Sequence, residues 1–134
     1  MTHRENIVGI ECRIPLGEAV NTMLNSNNSR FPVYDGSLDN IIGIIHFKDA
    51  MRANVHKDLK EVPIKQIDQL IMEARFIPET RKIGALFKTM QQNKIHIVIV
   101  VDEYGQTAGL VAMEDILEEI VGSIFDEHDE DENN

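Results

Sequence analysis

Two carboxylates stand out by their spacing. Asp49 follows Gly43 by six residues, and Asp115 follows Gly109 by six. In both places an apolar, strand-like run leads from the glycine toward a helix start, so each Asp falls in a first helical turn. A carboxylate there can accept hydrogen bonds from the hydroxyls of a ligand, or it can simply favour the positive end of the helix dipole. Anionic groups such as phosphates require helix N-terminal amides and cations. Near Asp49 the cations are Lys48 at the helix start, His46 just before it, and Arg30 at the start of the preceding strand. Near Asp115 the matching strand begins at His96, which reads equally well as a hydrogen-bonded histidine at a strand end.

Other chemistry is scarce. The histidines are His3, His46, His56, His96 and His128, and none forms a metal-ligand spacing. Cys12 is the single cysteine, which excludes an internal disulfide and a Cys-rich zinc site, and it has no nearby partner that the sequence justifies as a catalytic base. There is no nucleophile elbow and no phosphate-cradling glycine loop. Asp49 and Asp115 sit in separate copies and are not expected to act as a catalytic carboxylate pair. Catalysis, a small hydrolase for example, is the least favoured class, and the expectation is a non-enzyme.

Charge narrows the partners. The 134 residues carry 23 acids against 13 bases, a net charge of −10, which disfavours a nucleic-acid binder. Six of the acids (Asp126, Glu127, Asp129, Glu130, Asp131 and Glu132) fall in the last nine residues, leaving 17 acids against the same 13 bases elsewhere. Such a block reads as a solvated tail, and only secondarily as a loose divalent-cation binder. The longest uninterrupted aliphatic run, 97–101, is far short of the roughly 20 residues that cross a bilayer. No direct membrane insertion is expected, and no signal-peptide pattern opens the chain.

The elements that must position these residues come in two copies. A shift of 67 pairs Ile10 with Ile77, Gly17 with Gly84, Met23 with Met90, Val33 with Val100, and Asp35 with Asp102. A shift of 66 then pairs Gly43 with Gly109 and Asp49 with Asp115. Each copy opens on an extended piece (7–10; 75–77). An amphipathic helix follows, with Leu16, Ala19, Val20, Met23 and Leu24 on one stripe and Ile83, Leu86, Phe87 and Met90 on the other. Two strands come next (31–34 and 41–45; 96–101 and 107–112), joined by hairpin turns at Asp35-Gly36 and Asp102-Glu103-Tyr104-Gly105. A second helix closes each copy (48 to about 55; 114 to about 121). The Met and Phe positions of the stripes read as core.

The stretch 57–73 is a linker interrupted by Pro63, and its Leu59, Val62 and Ile64 predict that it packs. A unit of about 50 residues is marginal alone. The all-apolar strand 97–101 asks for cover on both faces. The expected fold is therefore α+β: two βαββα repeats packed with pseudo-twofold symmetry. Residues 1–56 form the first motif, 57–73 the linker, 74–123 the second motif and 124–134 the acidic tail.

The segments Gly43-Ile44-Ile45-His46-Phe47-Lys48-Asp49 and Gly109-Leu110-Val111-Ala112-Met113-Glu114-Asp115, in a tandem βαββα frame, resemble a pair of CBS (cystathionine-β-synthase-type) domains. The longer blocks 30–43, 100–111 and 114–122 are similar to one branch, the CorC/hemolysin-C-like proteins related to the CNNM magnesium transport mediators. The resemblance covers nearly the whole chain. It implies clefts between the copies for an adenosine nucleotide (AMP, ADP or ATP, with or without magnesium). Asp49 and Asp115 would hold ribose hydroxyls. Arg30, His46, Lys48 and His96 would supply donors for the phosphates, and the helix-start residues Ala112, Met113 and Glu114 would complete the nucleotide-binding set. Ile10, Phe31, Pro32, Ile77, Pro78, Ile97 and Val98 are candidate walls for adenine, each also a reasonable core residue. The family often has Thr or Ser three residues after the Gly, where this chain has His46 and Ala112. Ala112 removes a donor.

The resemblance also implies a parent protein that moves magnesium or cobalt. Its membrane domain would precede the pair, its small C-terminal domain would follow it, and the pair would lie on the cytoplasmic face of the membrane. The acidic tail would lead toward that C-terminal domain. No flavin is expected on these residues. A homodimer is implied, with Ala50, Met51, Ile116, Leu117 and Ile120 as its candidate seam. The alternative reading is a nucleotide-independent dimerisation scaffold, which Ala112 favours.

Overall fold

A computed structural model describes residues 1–80, 82–118 and 121–122. The acidic tail, Ile120 and the side chain of Ile83 lie outside the described residues. The chain forms two compact units: Asn6–Arg75, and Met1–Glu5 together with the chain from Phe76 onward. It begins with a two-residue strand, β1 (Thr2–His3), which belongs to the second of these units.

The unit Asn6–Arg75 contains β2 (Ile10–Glu11), α1 (Leu16–Leu24), β3 (Arg30–Asp35), β4 (Ser37–His46), α2 (Phe47–Asn54) and β5 (Ile71–Met72), with sheet order β2-β3-β4-β5. β2 and β3 run parallel, because α1 carries the chain back across the sheet. β3 and β4 form a hairpin whose turn residue, Gly36, has φ +81°, a conformation that glycine adopts without a steric penalty. Leu16, Ala19, Val20 and Met23 bury the inner stripe of α1 against Phe31, Val33 and Ile45 of the sheet. Leu24, expected on that stripe, is instead exposed (58%). One residue turns the helix by about 100°, which carries Leu24 past the edge of the buried face.

The stretch 57–73 is built into this unit. α1 has Pro15 before it and no side-chain cap. Its first amides are satisfied by the stretch instead: Leu16 N donates to Val62 O (3.0 Å) and Gly17 N to Lys60 O (2.9 Å). Ile64 and Leu70 enter the core, and Leu59 packs against it.

The second unit contains β6 (Phe76–Pro78), α3 (Ile83–Gln92), β7 (Ile97–Val101), β8 (Thr107–Ala112) and a helical segment over 113–118. Its sheet order is β1-β8-β7-β6, with β6 parallel to β7. Leu86, Met90, Val98, Val100, Val111 and Ile116 form the core. Ile97 and Ile99, on the other face of β7, are also buried (7% and 0%), as an all-apolar strand requires. Among the described residues no helix is long and apolar enough to cross a membrane.

Each βαββα repeat thus gains a fourth strand, and the two are exchanged. β1 leads into the first repeat yet pairs with β8 of the second; β5 leads into the second repeat yet pairs with β4 of the first. This explains the glycines that precede each Asp. A Cβ at Gly43 would collide with Ile71 Cγ2 and the Met72 carbonyl oxygen, and one at Gly109 would collide with the Thr2 carbonyl oxygen. The expected seam also needs correction. Ala50 and Ile116 are buried in their own cores (0% and 2%), whereas Met51 and Leu117, one residue further round each helix, are exposed.

Candidate functional site

The same corner is built twice. In the first unit the leading amide of α2, Phe47 N, donates to Ser29 O at 2.8 Å; in the second, Met113 N donates to His96 O at 2.8 Å. Each second helix is thereby tied to the start of the strand two elements earlier. Around the first corner, Arg30 lies opposite His46, Phe31 opposite Ile45 and Pro32 opposite Ile44. Around the second, Ile97 lies opposite Ala112 and Val98 opposite Val111.

The helix starts differ in chemistry. His46 is the N-cap of α2, and its Nδ1 accepts from the Lys48 amide at 3.0 Å. The ring does the work that Ser or Thr does at most helix starts, using one amide that an anion would otherwise find. Asp49, the third residue of α2, is partly exposed with Arg52 Nη1 3.9 Å away, an exposed pair of small energetic weight. At the second corner Ala112 offers no capping side chain, and Asp115 reaches back so that its Oδ2 accepts from the Ala112 amide at 3.4 Å. This is one arm of a capping box, at the long end of hydrogen-bond distance. Three residues beyond Asp115 stands Glu118, where the first helix has Arg52.

Beside the second corner an open groove of about 420 Å³ is lined by Phe87, Met90, Gln91, Lys94, Ile95, His96, Met113 and Leu117. His96 and Met113, both singled out from sequence, meet there. Ala112, Glu114 and Asp115 adjoin it in the chain but are not among its lining. Phe87, Gln91, Lys94, Ile95 and Leu117 were not anticipated as site residues, because the groove is assembled from a helix end, a strand start and a second helix. Of the proposed adenine walls, Ile10 and Phe31 belong to the core of the first unit and Val98 to that of the second. Pro32 and Ile97 are buried, Ile77 is half-buried and Pro78 is exposed at the end of β6.

A further polar cluster escaped sequence reasoning because its members are 24 residues apart. Glu11 Oε1 accepts from Arg13 N (3.1 Å), Arg13 Nη1 (2.9 Å) and Cys12 Sγ (3.4 Å), and Oε2 accepts from Gly36 N (2.7 Å). Arg13 also pairs with Asp35. The Gly36 amide, helped by Arg13 and opposed by partial burial, holds the Glu11 carboxyl below its ordinary range. Burial, then the neighbouring Glu11, pushes the Cys12 thiol up. Glu11, Cys12 and Asp35 offer atoms within 4.8 Å of one another. Arg13 bridges the two carboxylates and the thiol is pushed toward its protonated form, so the cluster forms a salt-bridged clip on the β3–β4 turn.

Comparison with known proteins agrees with the repeated corner. The CBS domain matches residues 1–56 and again 60–122. The chain belongs to the CBS-domain family. The pair is 39% identical over 132 residues to the magnesium and cobalt efflux protein CorC of Pasteurella multocida, covering 98% of this chain and 43% of that protein. It is 35% identical over 132 residues to hemolysin C of Brachyspira hyodysenteriae, covering 98% of this chain and 47% of that protein. The CBS pair therefore spans less than half of these curated relatives. Among solved structures it resembles the CBS domain of a bacterial CNNM/CorC family Mg2+ transporter in complex with ATP. That match has TM-score 0.83 and 38% identity, over 91% of this chain and 84% of that one. It also resembles a CBS-domain pair with bound AMP from Klebsiella pneumoniae, with TM-score 0.76 and 35% identity over 90% of this chain and 94% of that one. The branch is the CorC/hemolysin C one.

Proposed function

We propose that this CBS pair is an adenosine-nucleotide-binding regulatory module of a CorC-type magnesium or cobalt transport protein, held at the cytoplasmic face of the membrane. The observation that carries the reading is the duplicated corner: one backbone hydrogen bond, found in both repeats, sets an Asp at the third position of each second helix. Relatives solved with ATP and with AMP support the choice of ligand. Asp115 is the stronger ribose acceptor of the two, because its contact with the Ala112 amide is long (3.4 Å) whereas Asp49 has a cation, Arg52, beside it. Arg30 and Lys48 near the first corner, and His96 near the second, supply donors for phosphate. Occupancy acts as a differential-affinity switch, favouring whichever packing binds nucleotide better and passing that bias to the membrane domain.

Titration calorimetry with AMP, ADP and ATP, with and without magnesium, tests this. Saturable binding is expected. Asp115→Ala should weaken it by about tenfold or more, the usual cost of losing a hydrogen bond to a charged group, and Asp49→Ala by less. Unchanged affinity in both variants would remove these residues from the site.

A second reading has its own observation. Met51 and Leu117, and Val55 and Val121, occupy matching positions of the two repeats, and all four are exposed (37%, 45%, 78% and 45%). Matching apolar positions, Met51 and Leu117 on the second helices and Val55 and Val121 beyond them, suit a homodimer. A dimer in sedimentation that Met51→Glu with Leu117→Glu dissociates, with no saturable binding of any of the three nucleotides, would favour a dimerisation scaffold.

A further inference from the structure

β1 is the outermost strand of the β1-β8-β7-β6 sheet and covers an edge of β8 that would otherwise be bare. Its hold is slight. Thr2 pairs with Leu110 and His3 with Gly109, and Arg4 Nη1 donates to Thr107 O at 3.0 Å. The seat is specific, because only a residue without a Cβ at position 109 leaves room for the Thr2 carbonyl. Met1 and His3 are exposed. A contact this short and this wet opens at a free energy well below that of global unfolding. Yet β8, the strand it covers, runs to Ala112, and the next amide, Met113 N, is bonded to His96 O. The second corner therefore stands on the strand that β1 holds.

We propose that Met1–Glu5 is a conformational latch: docked on β8, it keeps the His96–Met113 corner in place, and released, it loosens that corner and lowers the affinity of the chain for adenosine nucleotide. The affinity half of this rests on the nucleotide reading above; the loosening does not. Sealing an edge limits how far β8 can bow, and the helix after Ala112 inherits that constraint.

Amide hydrogen exchange is compared in the wild type, Gly109→Val, Arg4→Ala, and a chain lacking residues 1–5. Gly109→Val displaces the latch from its seat. Arg4→Ala leaves the backbone pairing of the sheet untouched and removes the side chain that bonds Thr107 O, which keeps the test valid if the first variant folds badly. Exchange of the Met113 amide, which is held by His96 and not by the latch, should quicken by about tenfold in Gly109→Val and in the truncated chain, and by about threefold in Arg4→Ala. Amides of β3 should keep wild-type protection. AMP or ATP affinity should fall in the same order. Faster exchange confined to Leu110 and its neighbours in β8, with Met113 unchanged, would overturn the latch. Faster Met113 exchange with unaltered affinity would overturn the coupling to nucleotide. If the wild type binds neither AMP nor ATP, the nucleotide reading fails, and Met113 exchange alone decides the latch.

Discussion

The Glu11 carboxylate gathers three kinds of donor: a backbone amide across the hairpin, a guanidinium and a buried thiol. A carboxylate whose folded pKa is lowered stabilises the fold above its unfolded pKa and loses that contribution as pH falls through the folded one. Glu11 lies below its ordinary value of 4.5, so its contribution is fully present at neutral pH and disappears on acidification below that value. Glu11→Gln should therefore be less stable than the wild type at pH 7, with a gap that closes as urea midpoints are followed below pH 4.5. A gap independent of pH would mean that the clip works by shape and not by charge. Cys12, at the base of the same clip, is buried (1%) with its thiol pushed up, which makes it a packing residue with little nucleophilic character.

At the scale of elements, the two second helices show how one backbone plan takes different caps. His46 caps α2 through Nδ1, whereas Ala112 leaves its helix to Asp115. His46→Ala should lower stability by about 1 kcal/mol, the usual cost of a lost N-cap. His46→Ser should retain most of it, both read from denaturant midpoints. The helices and hairpins were legible in sequence because their causes are local. Leu16, Ala19, Val20 and Met23 keep helical spacing, and Asp35-Gly36 and Gly105 mark the turns. β1 and β5 were not legible. Two residues cannot display an alternation, and the partner of Thr2 is Leu110. The motif glycines were read as neighbours of the Asp residues, yet Gly43 and Gly109 are demanded by those unseen strands. The groove beside the second corner was legible to the same depth: the sequence singles out His96 and Met113, but not the apolar wall that Phe87 and Leu117 add.

At the scale of the whole molecule, the boundaries of folding units and of sequence repeats diverge. The compact unit Asn6–Arg75 owns all four strands of its sheet and the capping stretch that satisfies α1. A fragment of residues 6–75 should show native-like circular dichroism and a cooperative, if shallow, melt. A fragment of residues 1–56, which follows the repeat, lacks β5, Ile64 and Leu70 and should remain largely unfolded. Equal behaviour of the two fragments would mean that the stretch 57–73 contributes little.

The exchanged edge strands carry a consequence for how such a chain tolerates insertions and deletions. Residues 4–9 and 73–75 each join an edge strand in one unit to the first repeat strand of the other, so both ends of each join are anchored. Deleting one residue there shortens the reach by about 2 Å in the 3-10 turn Arg4–Asn6, or about 3.3 Å where the chain is extended, and drags the edge strand out of register with its glycine. The hairpin tips at Gly36 and at 103–105 have only one sheet to satisfy and are open to solvent. Length changes along this chain should therefore collect at the hairpin tips and be purged from the joins, although both would look like ordinary loops.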